Sequence, residues 1–443
     1  MKLMLAILIC KLVRQVGKLV GKGSSLPGQI ALKVCPDVLG RVKLPEHIIA
    51  VTGSNGKTST VEMIAAVLTQ SGKQVIYNRE GSNQIEGVTT LILSNCTLGG
   101  ALRGDVLLLE SDERYAKYTF RYFHPTHFVI TNLYRDQLTR NGHPEWVYDA
   151  IRPAVFPDTT LVLNGDDPLV ACFAREHAGQ KAVWFGLEAC SFDTDHPVGV
   201  YDDGQRCPVC RGRLQYSRYH YHHIGFYQCP ACGHSRPAPD FAVTELDLDA
   251  GRVTIDGQYQ IELAFRSIYN VYNILAAWSV CALCGADKAA MARLISGYVL
   301  KNGRRVAFRL GAHHGTLLTS KHENSVAYDT NLDYIARSGG DCEVMVIVDA
   351  ISRKYFTGET SWLWDIDFDR LAVDRVKRVW LCGKYVNDLA LRFDFSAVDG
   401  EKITAVESIA DAAARLKAEG DLPLYVVTCF SDRDKLLALT EAD

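Results

Sequence analysis

Residues 44–72 read LPEHIIAVTGSNGKTSTVEMIAAVLTQSG. An apolar stretch from Ile48 to Val51 runs into a glycine-containing loop, and an amphipathic helical pattern follows. A strand, a loop and a helix in this order aim backbone N–H groups and a helix N-terminus at a phosphate. The candidate nucleotide loop is Gly53, Ser54, Asn55, Gly56, Lys57, Thr58 and Ser59. Lys57 is expected on the β/γ-phosphates, with the Thr58 hydroxyl as a ligand of Mg²⁺. The spacing is the short G-[ST]-N-G-K-T form, because Val51 stands where the longer G-x-x-x-x-G-K-[ST] form needs its first glycine.

Composition sets the frame around this loop. A chain of 443 residues has room for two or three domains. Apolar residues make up 48% and charged residues 22%, as in soluble globular proteins. A formal charge of −3 gives no global basic field for nucleic acid. Fourteen Cys do not make a secreted disulfide framework in so long and core-rich a chain. Those outside the motif below read as buried thiols in a reducing cytosol. The opening MKLMLAILIC places Lys11, Arg14 and Lys18 after its apolar run and shows no small-residue cleavage site, which argues against a signal peptide. It is also too short to span a bilayer. An amphipathic helix is expected, lying on the protein or touching a membrane surface.

The stretch 207–232 reads CPVCRGRLQYSRYHYHHIGFYQCPAC. Its C-x₂-C-x₁₈-C-x₂-C spacing predicts a zinc ribbon held by Cys207, Cys210, Cys229 and Cys232. Four thiolates close the coordination sphere, so the metal is structural rather than catalytic. A short, loop-rich insert needs such a staple to fold. His220, His222 and His223 are expected to be exposed or hydrogen-bonded on the ribbon, not ligands. A nucleic-acid-binding ribbon is the competing reading, resting on Arg206, Arg211, Arg213, Arg218 and the aromatic run between the knuckles.

The short nucleotide loop resembles the ATP loop of the Mur ligase family, and further motifs follow in the family's order. LLLESDE (107–113) is a strand ending in carboxylates; HFVITNLYRDQLTRNG (127–142), TLVLNGDDP (160–168) and SIYNVYNILAAWSVCALCG (267–285) resemble later family motifs. The resemblance implies that Glu110 binds Mg²⁺ and that Asn270 reaches the adenine, with Arg304 as a further ATP-binding candidate. It also implies a parallel-sheet α/β fold with ligands at the strand ends. SLPGQIALKVCPDVLGRV (25–42), NREGSNQIEGV (78–88), RDQL (135–138), the ribbon and SWLWDIDFDRL (361–371) are similar to the MurT branch of the family. That branch supplies the ligase subunit of lipid II isoglutaminyl synthase. Its implied cofactors are ATP, Mg²⁺ and Zn²⁺, and its implied partner is a GatD-like glutamine amidotransferase that supplies ammonia. Lipid II is the implied substrate, with a cytoplasmic location at the inner face of the membrane; the peripheral membrane contact rests on the amphipathic N-terminal segment. An acid lent to the partner's Cys–His pair is implied near DAISRKYFTGETSW (349–362), where Asp349, Glu359 and Asp365 are all candidates.

The chain departs from the family in places. It has no Lys between Asp136 and Leu161, which excludes a carbamylated-lysine ligand there. SKHENSVAYDTNLDYI (320–335) matches the family's K-N-P-x-G-x-N-E only at Asn324. An amide ligase of the folylpolyglutamate type is the alternative within the superfamily. The expected organisation is a helical lead-in over 1–45, a Mur ligase-type ATP-binding domain over 46–300 with the ribbon inserted at 203–240, and a smaller C-terminal α/β domain over 304–443.

Overall fold

A computed structural model describes residues 1–19, 24–78, 83–135, 141–299, 305–351 and 358–442. The chain divides into two compact units. The first comprises Met1–Leu133, Pro144–Pro197 and Asp203–Leu300; the second comprises Tyr134–His143, Val198–Asp202 and Lys301–Asp443. Two short segments of the expected ATP-binding domain therefore group with the C-terminal part.

The first unit opens with α1 (Lys2–Leu19) and α2 (Leu26–Val34). They are not a separate lead-in. Ala6, Ile7 and Cys10 of α1 and Ala31 of α2 are buried in the same core as the central strands. The sheet strands are β1 (His47–Thr52), β2 (Val75–Tyr77), β3 (Val106–Glu110), β4 (His127–Ile130), β5 (Thr160–Asn164) and β6 (Ala182–Leu187). A hairpin, β7 (Gln215–Tyr221) and β8 (Ile224–Gln228), carries the ribbon, and β9 (Phe241–Asp247), β10 (Arg252–Ile255) and β11 (Tyr259–Glu262) complete the unit's strands. Its other helices are α3 (Lys57–Gln70), α4 (Ile85–Asn95), α5 (Ala116–Phe120), α6 (Pro144–Ile151), α7 (Ile268–Leu283) and α8 (Lys288–Ile295).

The main sheet has the order β11-β10-β9-β6-β5-β4-β1-β3-β2. Pairing from β2 through to β9 is parallel; β9, β10 and β11 meander antiparallel at one edge. The centre explains the apolar runs. Ile48 to Val51, Leu107 to Leu109 and Phe128 to Ile130 are buried on both faces, as parallel strands covered by helices must be.

The second unit has β12 (Arg305–Leu310), β13 (His313–Ser320), α9 (Ser325–Arg337), β14 (Cys342–Ile347), β15 (Val376–Cys382), α10 (Val386–Asp394), β16 (Ile403–Val406), α11 (Ile409–Ala418), β17 (Leu424–Cys429), α12 (Phe430–Leu437) and β18 (Glu441–Ala442). Its sheet order is β16-β15-β14-β17-β13-β12-β18. Pairing is parallel from β16 to β13 and antiparallel beyond. Buried side chains lie on both sheet faces, one layer around Leu332 and Phe368, the other around Trp380 and Leu416.

One buried acid in this unit makes its stability depend on pH. Asp329 on α9 is fully buried, and its carboxylate accepts the Asp367 N–H at 2.8 Å. Burial pushes its pKa from 3.8 up to about 7, against the opposing pull of Arg370. The unfolded chain releases this proton at lower pH than the folded one. Stability from this group is therefore full below pH 4 and is lost as pH rises through 7. Asp329→Asn keeps the acceptor oxygen and removes the titration. The variant should melt higher than the native protein at pH 8, by up to roughly 4 kcal/mol, with the gap closing towards pH 4. Melting curves across this range check it, and a gap independent of pH would refute the assignment.

Candidate functional site

The loop after β1 is shaped by two glycines with positive φ, where any side chain would be strained. Gly53 has φ +128°, and a Cβ there would stand 2.3 Å from Thr131 Oγ1. Gly56 has φ +85°, and its Cβ would stand 1.9 Å from Asn273 Oδ1. The loop backbone is pinned to the end of β4. Ser54 N donates to Asn132 O at 2.9 Å and Asn55 N to Asn132 Oδ1 at 2.9 Å. Asn55 O accepts from Thr131 Oγ1 at 2.7 Å and from Asn132 Nδ2 at 3.2 Å. Helix α3 then starts at Lys57 with no acidic residue in its first turn and no side-chain cap, which leaves its positive end to an anion.

Lys57 is buried, and its ammonium group donates to Gly53 O and to the Glu113 carboxylate. Thr58 Oγ1 donates to Glu110 Oε2 at 2.9 Å. Asn83 Nδ2 donates to the other oxygen, Oε1, at 3.0 Å. A hydroxyl and a carboxylate meeting beside a phosphate-type loop are the hard oxygen donors that Mg²⁺ prefers. Glu113 and Asn83 were missed in the sequence reading. Glu113 had a visible signal, since it stands in the acidic strand end that faces the loop lysine.

The helix expected to reach adenine is α7. Asn270, half-buried, donates from Nδ2 to Phe265 O at 3.2 Å. Asn273, one turn on, is the residue set against Gly56. Arg304 lies outside the described residues, as do residues 136–138 of RDQL. The N-G-D-D strand end ties backbone together. Asn164 Nδ2 donates to Thr131 O at 3.1 Å. Asp167 accepts the N–H groups of Leu133, Leu169 and Val170 at 2.9, 2.9 and 3.1 Å. Asp166, also fully buried, accepts from Arg236 Nε at 2.6 Å, Leu187 N at 2.7 Å and Tyr272 Oη at 2.7 Å.

Arg236 belongs to the ribbon. The two cysteine knuckles are folded alike: Arg211 N donates to Cys207 O at 2.8 Å, and Gly233 N to Cys229 O at 2.9 Å. Arg211 (φ +64°) and Gly233 (φ +74°) both take the left-handed turn. Cys207 and Cys232 Sγ are 3.6 Å apart, Cys210 and Cys229 Sγ 3.5 Å, and all four ligand atoms lie within 4.8 Å of one another. A tetrahedral site with metal–sulfur bonds of ~2.3 Å needs sulfur spacings close to these.

The ribbon histidines are not exposed. His220, His222 and His223 are buried, and His220 Nδ1 is 2.7 Å from Asp193 Oδ1. The cause is tertiary: the hairpin leans on the unit's body, with Thr194 bridging Tyr219 and Tyr221 packed on Tyr269 and Tyr272. The same contact buries Tyr219, Tyr221 and Tyr227, so these rings are not offered for base stacking, although Arg206, Arg211, Arg213 and Arg218 are exposed.

The three candidate partner acids lie in the second unit in different surroundings. Asp349 accepts the Lys384 N–H at 2.8 Å and pairs with Lys435. Burial works against its charge, yet Lys435 and the Lys384 N–H hold its pKa below the usual range. Asp365 pairs with Arg135 at 3.0 Å. Glu359 is exposed, with the Ser361 N–H on its Oε1 at 2.8 Å.

The Mur ligase middle-domain family matches residues 51–229, and the MurT ligase C-terminal family matches residues 322–432. A pseudomurein peptide ligase type C from Methanothermus fervidus superposes with a TM-score of 0.69 at 19% identity, over 91% of this chain and 80% of that one. The MurF ligase of Thermotoga maritima superposes at 0.62 with 14% identity, over 93% and 83%. The fold is thus that of the Mur ligases. The lipid II isoglutaminyl synthase (glutamine-hydrolyzing) subunit MurT of Streptococcus pneumoniae is 31% identical over 93% of this chain and 91% of its own length. The corresponding subunit of Staphylococcus aureus strain N315 is 28% identical over 89% and 88%. The chain belongs to the MurT family.

Proposed function

We propose that this chain is the ligase subunit of a two-part enzyme of peptidoglycan synthesis, which amidates the D-Glu α-carboxylate of lipid II to D-isoglutamine. The observation that carries the reading is the convergence of Lys57, Thr58 and Glu110 on a loop whose glycines admit no side chain, in a chain of this family. ATP would lie along Gly53–Ser59, with Asn273 of α7 set against Gly56 and Asn270 one turn before it as the expected adenine contact. The γ-phosphoryl group passes to the substrate carboxylate, giving ADP and an acyl phosphate. Ammonia then attacks the acyl carbon, inorganic phosphate leaves, and the nitrogen loses a proton. Two anions must meet in the first step. Lys57 neutralises phosphate charge, and Thr58 and Glu110 would hold Mg²⁺, which supplies further neutralisation when bound. Other carboxylates, such as those of a folylpolyglutamate-type ligase, make a weaker fit to a chain whose curated relatives are MurT subunits along nearly their full length.

The decisive measurement is incubation with lipid II, ATP and ammonium, followed by mass analysis for the conversion of carboxylate to amide. Lys57→Ala should reduce turnover at saturating ammonium by at least about a hundredfold, the usual cost of removing one donor to developing charge. Near-normal turnover in the variant would remove Lys57 from the phosphate site.

Nitrogen from glutamine would come from a GatD-like partner. Among the candidate acids, Asp349 and Asp365 are half-buried, whereas Glu359 is exposed, where a partner chain can reach it. We assign the lent acid to Glu359. In the complex, Glu359→Gln should abolish glutamine-dependent amidation and leave ammonium-dependent amidation intact. Loss of both activities would place Glu359 at the ligase site instead.

Zn²⁺ fits the four ribbon thiolates. It would brace the ligase through Arg236, which reaches Asp166 and thereby Tyr272 on α7. Cys207→Ser should lower bound zinc and melting temperature and raise the KM for ATP more than it lowers kcat. Full zinc content or an unchanged KM would break that link. The working place is the cytoplasm, at the inner face of the membrane where a lipid-linked substrate is met.

A further inference from the structure

The first helix has two apolar faces, and the core uses only one. Ala6, Ile7 and Cys10 are buried. On the other side Met4, Leu5, Leu8, Leu12 and Val16 are exposed, Leu12 at 66% and Val16 at 64%. Their spacing of three and four residues makes a continuous stripe along the helix. Leu98 extends the patch: it too is exposed, in the turn whose Gly100 lies against Leu3 of α1.

Charge is segregated in the same place. Residues 1–36 contain six Lys or Arg and no Asp or Glu. The remaining 407 residues hold 42 basic and 51 acidic residues, a net −9 within a chain of −3. An apolar stripe in an acid-free, basic segment is the pattern that lies in the headgroup region of an anionic membrane. A second copy would bring two positive segments together, which repels. No helix among the described residues is long and apolar enough to cross a membrane, so the contact would be peripheral.

We infer that α1 docks the protein on an anionic bilayer surface through Met4, Leu5, Leu8, Leu12 and Val16, with the net positive charge of this segment favouring anionic lipid. This rests on the proposed function only in taking the substrate to be lipid-linked. The docking residues are not those of the nucleotide loop, so the two readings can fail separately.

The test uses the full zinc-loaded chain sedimented with vesicles. With phosphatidylcholine–phosphatidylglycerol vesicles it should co-sediment, and binding should weaken in high salt and on pure phosphatidylcholine. Leu12→Glu combined with Val16→Glu should reduce the bound fraction roughly tenfold or more. Both side chains are exposed, so melting temperature should not change. Ammonium-dependent amidation in detergent should also persist, which separates docking from the ligase reading. Native protein left in the supernatant with anionic vesicles would overturn the inference, as would undiminished binding by the double variant. A native dimer made monomeric by the double variant would overturn it in favour of a second copy.

Discussion

The Asp166 carboxylate is the constraint on which the first unit depends. It is a fully buried charge, and burying an ion costs several kcal/mol unless other groups replace its water. Three donors from three elements do so: Leu187 on β6, Tyr272 on α7 and Arg236 in the ribbon. The backbone joins in, since Gly225 N donates to Asp166 O at 3.0 Å. β6 can approach this closely only because residue 186 is glycine, where a Cβ would stand 2.5 Å from Asp166 Oδ1. Removing the carboxylate would strand Arg236 away from water, a loss of about 3–5 kcal/mol for a buried pair.

This arrangement gives the ribbon a purpose that its sequence does not state. Alone, a short hairpin with four cysteines is a self-contained staple. In the protein its hydrophobic cluster, Cys207, Leu214, Tyr227 and Cys229, is completed by Ala171 of the main unit. His220 on its first strand and Arg236 after its second knuckle both reach Asp166, and Tyr272 links the same carboxylate to the helix that faces the loop glycines. The ribbon is thus linked, through Arg236 and the Asp166 carboxylate, to the helix across from the nucleotide loop.

What could be read from sequence was local. The nucleotide loop announced itself through an apolar strand, two glycines and a helical period within one short stretch, and the four cysteines through their spacing. The residues missed are those whose meaning comes from distant partners. Lys57 meets Glu113 across 56 residues, and Asp166 meets Arg236 across 70 and Tyr272 across 106. The ribbon histidines were expected to be exposed or hydrogen-bonded; His220 is hydrogen-bonded, and the burial of all three comes from a surface that local pattern cannot reveal. The three acids of the 349–365 region were equivalent in sequence, and their exposure in the fold separates them.

The thiols bear on where ammonia must come from. A glutaminase needs a thiolate that is both accessible and low in pKa. Of the fourteen cysteines, Cys210 and Cys232 are exposed, and both belong to the ribbon. The others are buried or, for Cys190, half-buried. Burial pushes Cys96, Cys172, Cys190, Cys382 and Cys429 up to about 12, where the nucleophilic form is scarce at neutral pH. The chain keeps its charge chemistry at the loop, where Glu113 holds the Lys57 ammonium in place, and keeps its sulfur chemistry closed. Every exposed thiol belongs to the ribbon, which supports the proposed division of labour with a glutamine-hydrolysing second polypeptide.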